Sequence, residues 1–185
     1  MGTKPIVFLN GKRLYLRPLC IADVPVIQRY VNDPDVRRYL ANVLPASEQD
    51  EEQWVKKVMQ RDETNIVLAV VLKKGHKLLG CMGLHRINYI DGTASTGAML
   101  GAKEEWNKGY GQEAKMLLLE YAFLTLNLRK ICSAATAPNK GSILHNTKCG
   151  YKIEGYLKKQ TYCDGKYYDH VLLAVFKQDW LKVKK

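Results

Sequence analysis

The sequence predicts an α/β fold of the α+β kind: a mixed, mainly antiparallel twisted sheet with helices on its faces. Three strand-like runs, 65–72, 77–88 and 93–100, follow one another across the turn signals Lys73-Lys74-Gly75 and Asp91-Gly92, the pattern of an antiparallel meander. Two further runs, 152–162 and 166–176, meet at Asp164-Gly165, a strong hairpin signal. Between the two groups, residues 109–128 carry a helical stripe of Ala114, Leu117, Leu118, Tyr121, Ala122 and Leu126. Strands joined by tight turns form such a sheet, and helices must cover its apolar faces.

The remaining elements follow in order. Residues 12–17 alternate Leu14 and Leu16 with Arg13, Tyr15 and Arg17, which predicts a strand with polar side chains on one face, ended by Pro18. Asp23 offers a cap for a helix bearing Val24, Ile27 and Val31. Asn32-Asp33-Pro34 reads as a turn, with a second short helix over 36–40. Ser47 and Asp50 resemble a capping box before a helix that buries Trp54, Val55, Val58 and Met59. Later, 130–135 reads as a strand and 139–148 as a helix closed by Gly150. The predicted order is β-α-α-β-β-β-α-β-α-β-β, in one domain over 1–185, with Lys182–Lys185 a frayed, solvated end.

Composition narrows the function classes. A chain of 185 residues, 46% hydrophobic and 25% charged, suits one sizeable soluble core. No apolar run approaches the ~18 residues of a membrane span, and the start is too short for a signal-peptide core, so a cytoplasmic location is expected. The five cysteines are widely spaced, with no CxxC pair or Cys/His cluster, so free, mostly buried thiols and no metal site are expected. The net charge of +11 favours anionic partners or is simply a solvated basic surface. No known nucleic-acid module is present, though ribosome association is compatible with the charge.

The chemistry concentrates in the segment 100–114, which joins the third meander strand to the long helix. Gly109 and Gly111 permit a tight turn and close backbone approach, and the free N–H groups of a helix start attract an anion. Lys108 adds charge. By itself G-x-G is as well explained by an ordinary turn. The segment has neither the G-K-[ST] of a nucleotide P-loop nor the G-x-G-x-x-G of a dinucleotide fold.

The run W-N-K-G-Y-G-Q-E-A resembles the acyl-CoA pyrophosphate loop of the GNAT N-acetyltransferases, whose motif is Q/R-x-x-G-x-G/A. The resemblance extends along nearly the whole chain. R-L-Y-L-R-P-L, N-D-P-D-V-R-R-Y-L, P-N-K-G-S, K-C-G-Y-K-I-E-G-Y-L and D-G-K-Y-Y-D-H are similar to the branch that acetylates ribosomal-protein N-termini. Trp106 departs from the motif, standing where the family has Gln or Arg.

The resemblance implies an acetyl-CoA-dependent N-acetyltransferase acting on a primary amine, either a protein N-terminus or a small molecule. The alternative on the same fold is a non-catalytic CoA sensor. Pantetheine contacts map to Met99, Leu100 and Gly101, where a ligand adds like a strand. Pyrophosphate contacts map to Asn107, Lys108, Gly109, Tyr110, Gly111 and Gln112. Glu113 reads as helix-start polarity. Asn139 corresponds to a pantetheine-contacting position and equally to an N-cap; Ser142 lies one turn on, while Lys140 and Lys148 face a 3′-phosphate or solvent.

Transfer also needs a base for the ammonium and a proton donor for the thiolate. The tyrosine several relatives use corresponds here to Asn146, which leaves Ser142 as donor. The carboxylate that relatives carry on the central strand is absent from Ala94–Ala98. His85 is the candidate base, against a packing or surface role. His145, Tyr168, Asp169 or a water relay are alternatives. The acceptor side maps to 24–61 and 162–169, whose Asp33, Asp35, Glu48, Asp50, Glu51 and Glu52 either attract a cation or cap helices.

Overall fold

The computed structural model describes residues 5–40 and 44–184. Eight strands form one sheet: β1 (Leu9–Asn10), β2 (Leu14–Pro18), β3 (Ile66–Leu72), β4 (Leu78–Asn88), β5 (Thr93–Leu100), β6 (Lys130–Thr136), β7 (Lys152–Cys163) and β8 (Lys166–Phe176). Their spatial order is β1-β2-β3-β4-β5-β6-β8-β7, and every neighbouring pair is antiparallel except β5 with β6. The helices are α1 (Val24–Asn32), α2 (Pro34–Arg37), α3 (Glu48–Met59), α4 (Tyr110–Glu120), α5 (Lys140–Lys148) and α6 (Lys177–Val183). The predicted order is present with additions: β1 before the first predicted strand, three helices rather than two before β3, and α6 after β8.

Two cores flank the sheet. On one face, Leu14, Leu16, Val70, Met82 and Leu84 meet Leu118 and Phe123 near α4 and Trp180 of α6. On the other, Tyr15, Ala69, Val71, Cys81 and Met99 meet Val24 and Ile27 of α1 and Val55 of α3. Burial on both faces explains why β3 is apolar throughout.

Several expectations are corrected. Tyr15 is buried, not on a polar face, with its hydroxyl 3.1 Å from His76 Nδ1. Asp23 does not cap α1: it accepts two bonds from Arg17, at 2.7 and 2.8 Å, and one from the Cys20 N–H. The second short helix is Pro34–Arg37, placed earlier than 36–40 because Asp33 caps it through the N–H groups of Asp35 and Val36. The long helix changes at Tyr121 into a wider π turn, Tyr121–Thr125. The C-terminal end is not frayed through Lys184. Trp180 of α6 is fully buried and Lys184 reaches Glu120; Lys185 lies outside the described residues. All five cysteines are free, but only Cys81 and Cys149 are buried.

Candidate active site

The site begins where β5 and β6 part. They pair only from Thr93↔Lys130 to Ser95↔Cys132, after which both strands continue without each other. The Thr96 hydroxyl bridges the vertex, donating to the Cys132 carbonyl at 3.3 Å. Beyond it, the edge of β5 is open for strand addition.

The backbone alternation selects which groups face that opening. Gly101 donates its N–H to the Leu79 carbonyl of β4, so Leu100 and Ala98 turn outward while Gly101 and Met99 turn to β4. Of the expected pantetheine positions, Leu100 lies with Ala98 on the open edge, while the backbone of Met99 and Gly101 faces β4. The Leu100 carbonyl already accepts the Trp106 indole N–H at 2.8 Å. Gly101 has a packing reason for its identity: a Cβ there would lie 2.0 Å from Tyr30 Cγ.

The phosphate loop follows. Asn107 and Gly109 both have left-handed backbones, with φ of 62° and 81°. Gly109 is the N-cap of α4 without a side-chain cap bond, and Glu113 is the first helical residue to find a carbonyl, that of Gly109. The N–H groups of Tyr110, Gly111 and Gln112 are consequently the open donors of the first turn. Gly111 also packs closely, since a Cβ there would meet Leu100 Cδ1 at 2.9 Å. The Lys108 ammonium is paired with Glu105 at 2.9 Å, so Lys108 joins the loop chiefly through its backbone.

Arg13 pins this loop. It binds Glu113 through its backbone N–H and Nε, donates Nη1 to the Lys108 carbonyl at 2.9 Å, and lies over the Tyr110 ring. Glu113 is structural, and its carboxyl is held below the ordinary range by Arg13 despite partial burial. A crevice of about 800 Å³ beside the loop is lined by Arg13, Lys73, Lys74, Lys77 and Lys108. Three of those cations are already held by carboxylates.

At the vertex, a cavity of about 430 Å³ is lined by His85, Arg86, Ser95, Thr96, Cys132, Ser133, Ala134 and Leu172. His85 projects beside Gly97, where a Cβ would sit 3.1 Å from its Nε2. Burial, aided by the charges of Arg86 and Lys115, lowers its pKa, so the ring is neutral at neutral pH and able to accept a proton. Behind the vertex, the fully buried Lys115 of α4 donates to Thr96 Oγ1 at 2.9 Å, and Thr96 lies 3.0 Å from the Tyr151 hydroxyl. Desolvation pushes Lys115 down to about 8.

On α5, Asn139 Oδ1 accepts the Ser142 N–H at 3.0 Å, the N-cap role. Asn146 is buried, donating to the Ser142 carbonyl, and its Oδ1 has no partner among the described residues. His145 Nε2 is likewise unpartnered beside Gly111, and burial lowers its pKa to about 4. Lys140 and Lys148 are exposed. Asp169 is engaged by Lys158 and the Lys159 N–H. Of the acidic residues of α3, Asp50 completes the capping box with Ser47 and Glu52 holds Lys56, while Glu51 is buried with a raised pKa. Asp33 and Asp35 hold Lys103. Among the described residues, no group of three or more His, Cys, Asp or Glu could hold a metal ion, and no helix is long and apolar enough to cross a membrane.

A parallel pair that splays beside a glycine-started helix suits a ligand with an extended arm and a pyrophosphate. Residues 13–152 match the family described as Acetyltransferase (GNAT) domain. The chain belongs to this GNAT family. The uncharacterized N-acetyltransferase p20 of Bacillus licheniformis is 27% identical over 176 residues, covering 93% of this chain and 97% of its own. A GNAT acetyltransferase structure from Bacillus anthracis has a TM-score of 0.80 at 27% identity, covering 92% of this chain and 99% of that one. Spermidine N-acetyltransferase from Vibrio cholerae, in complex with CoA and spermine, has a TM-score of 0.83 at 25% identity, covering 91% and 98%.

As a GNAT protein, the chain is an acetyltransferase with acetyl-CoA as its acyl donor, and the sensor alternative is set aside. Residue-by-residue reading of the sequence missed three contacts around the loop and the vertex: the Arg13 clasp, the Trp106–Leu100 contact and the buried Lys115. Arg13 and Glu113 are a hundred positions apart, and no local pattern links them. Lys115 falls within the stripe spacing of Ala114 and Leu118, and that position was the available signal.

Proposed function

We propose that this GNAT enzyme acetylates the primary amine of a protein N-terminus or of a small molecule, with His85 as the base at the β5–β6 vertex. In this reading the first-turn N–H groups of α4 hold the pyrophosphate, and the outward edge of β5 at Ala98 and Leu100 aligns the pantetheine. Trp106 yields or shares the Leu100 carbonyl when the arm binds. The amine arrives as an ammonium, gives its proton to neutral His85, and attacks the thioester carbonyl. The C–S bond then breaks as the adduct nitrogen loses its second proton, and the thiolate takes a proton either from water or from the Ser142 hydroxyl, which regains one from the nitrogen through water.

The observation that carries this reading is a half-buried, neutral-leaning imidazole in a cavity at the splay point. Polyamines are the other acceptor class among the relatives, since spermidine acetyltransferases are similar along most of the chain. A polyamine needs carboxylates for its second and third ammonium groups. Among the described residues none lines the vertex cavity, and one cation, Arg86, does. A thiol-release screen of N-terminal peptides, amino sugars, aminoglycosides and polyamines tests the reading. Turnover of peptides or small monoamines is expected; turnover of polyamines alone would overturn it.

A further inference from the structure

Arg86 follows His85 in β4 and has a left-handed backbone, with φ of 52°. The register of β4 against β5 shifts between His85 and Asn88, so an irregularity of the ladder falls on this residue. A non-glycine residue in this region is uncommon, and bulges beside active sites re-aim side chains. Here the side chain is turned to the cavity that holds His85, with Nη2 donating to Ser95 Oγ at 3.2 Å. Among the described residues no carboxylate pairs with it, whereas Arg13, Arg17 and Arg38 each hold one.

The charge of Arg86 acts on the cavity. It helps to lower the pKa of His85 and pulls against burial at the Cys132 thiol, which lies across the vertex. Glu154 also acts on Cys132, but Lys130 holds that carboxylate at 2.8 Å. The vertex therefore presents a fork of N–H donors and a net positive field to an incoming acceptor. Guanidinium groups bind carboxylates through such a fork and repel ammonium groups.

Resting on the transfer reading above, we infer that the acceptor is an amine that also carries a carboxylate, which Arg86 holds while the amino group reaches His85. A second consequence follows from the charges. A carboxylate on Arg86 offsets the cation that depresses the neighbouring imidazole, so the anionic acceptor makes its own base stronger. The carboxylate has two sources: the main-chain group of a free amino acid, or an acidic side chain close to a peptide N-terminus.

Matched acceptors decide it. Thiol release is measured for free amino acids against their amides, for peptides with Asp or Glu at the second position against Asn or Gln, and for spermidine. Wild type, Arg86→Gln and Arg86→Glu are compared, with acetyl-CoA titration of each variant to verify an intact cofactor site. Wild type is expected to favour the carboxylate in at least one matched series by about tenfold in kcat/KM, the size of one charge-assisted contact. Arg86→Gln should abolish that preference, so that carboxylate and amide members of a pair turn over alike within the variant, and Arg86→Glu should invert it. The series that shows the preference names the source. Equal turnover of both members in every pair, or a preference that survives Arg86→Gln, overturns the inference while leaving amine acetylation standing. No acetylation of any amine overturns both.

Discussion

Arg13 and Glu113 form a two-point clasp: the Arg13 backbone N–H meets Oε1 and its Nε meets Oε2, each at 2.7 Å. The clasp joins the β1–β2 hairpin to the first turn of α4, and Arg13 Nη1 continues to the Lys108 carbonyl. The loop proposed to present its amides to a pyrophosphate is thereby anchored by Arg13. Glu113→Ala should raise the KM for acetyl-CoA several-fold with a smaller change in kcat, because it loosens the loop without touching the acceptor. Stability should fall by about 1 kcal/mol, as both bonds are partly exposed. A KM unchanged in steady-state assays would contradict the clasp role.

Gly109 and Gly111 should respond differently. Gly109→Ala strains a left-handed N-cap by about 1–2 kcal/mol and tilts the first-turn amides, so acetyl-CoA affinity should fall. Gly111→Val drives side-chain atoms into Leu100, so the thermal midpoint should drop together with affinity. Calorimetric titration beside thermal unfolding separates the two effects; identical profiles would refute the distinction.

Much of this was legible in the sequence, for reasons that differ by element. The meander and the final hairpin were readable because Gly75, Gly92 and Gly165 supply left-handed turns at the points where the chain reverses. Ser47 and Asp50 form the capping box that their spacing predicts. Tyr15 was misread because alternation alone does not distinguish a solvent face from a second buried face. Asp23 was misread because Arg17, six residues away, competes for its carboxylate. Within the site, the loop was local and readable. Which backbone groups of β5 face the opening depends on a hydrogen bond from Gly101 to Leu79 that no one-dimensional pattern reveals.

As the proposed base, His85 should set the acid limb of the pH–rate profile. Activity should fall as pH drops and the ring gains a proton, with the midpoint below the ordinary histidine value of 6.5. Arg86→Gln removes one charge that lowers it, so the limb should move upward. His85→Gln should reduce kcat by about 10²–10⁴ and erase the limb. A profile that His85→Gln leaves unchanged would transfer the base role to another group or to water.

Lys115 gives stability a signature at high pH. Its folded pKa, about 8, lies under the ordinary 10.5 because the ammonium is desolvated. Below about pH 8 both folded and unfolded chains hold the proton, and the full penalty of the buried charge is present. Between about 8 and 10.5 the folded chain has released it while the unfolded chain has not, so stability rises with pH. Lys115→Met should remove that rise and stabilise the protein near pH 7 by on the order of 3 kcal/mol, less the lost Thr96 hydrogen bond. Denaturant unfolding across this range checks both; an unaltered slope in the variant would contradict the assignment.

The central claim is acetyl transfer to a primary amine at the vertex between β5 and β6. Its most direct measurement is mass spectrometry of amine acceptors incubated with acetyl-CoA and either wild-type protein or His85→Gln. One acetyl group added to the primary amine by wild type, and strongly reduced addition by a variant that still binds acetyl-CoA, is the predicted result. Acetylation that proceeds equally in both, or that never occurs at any primary amine, would contradict it.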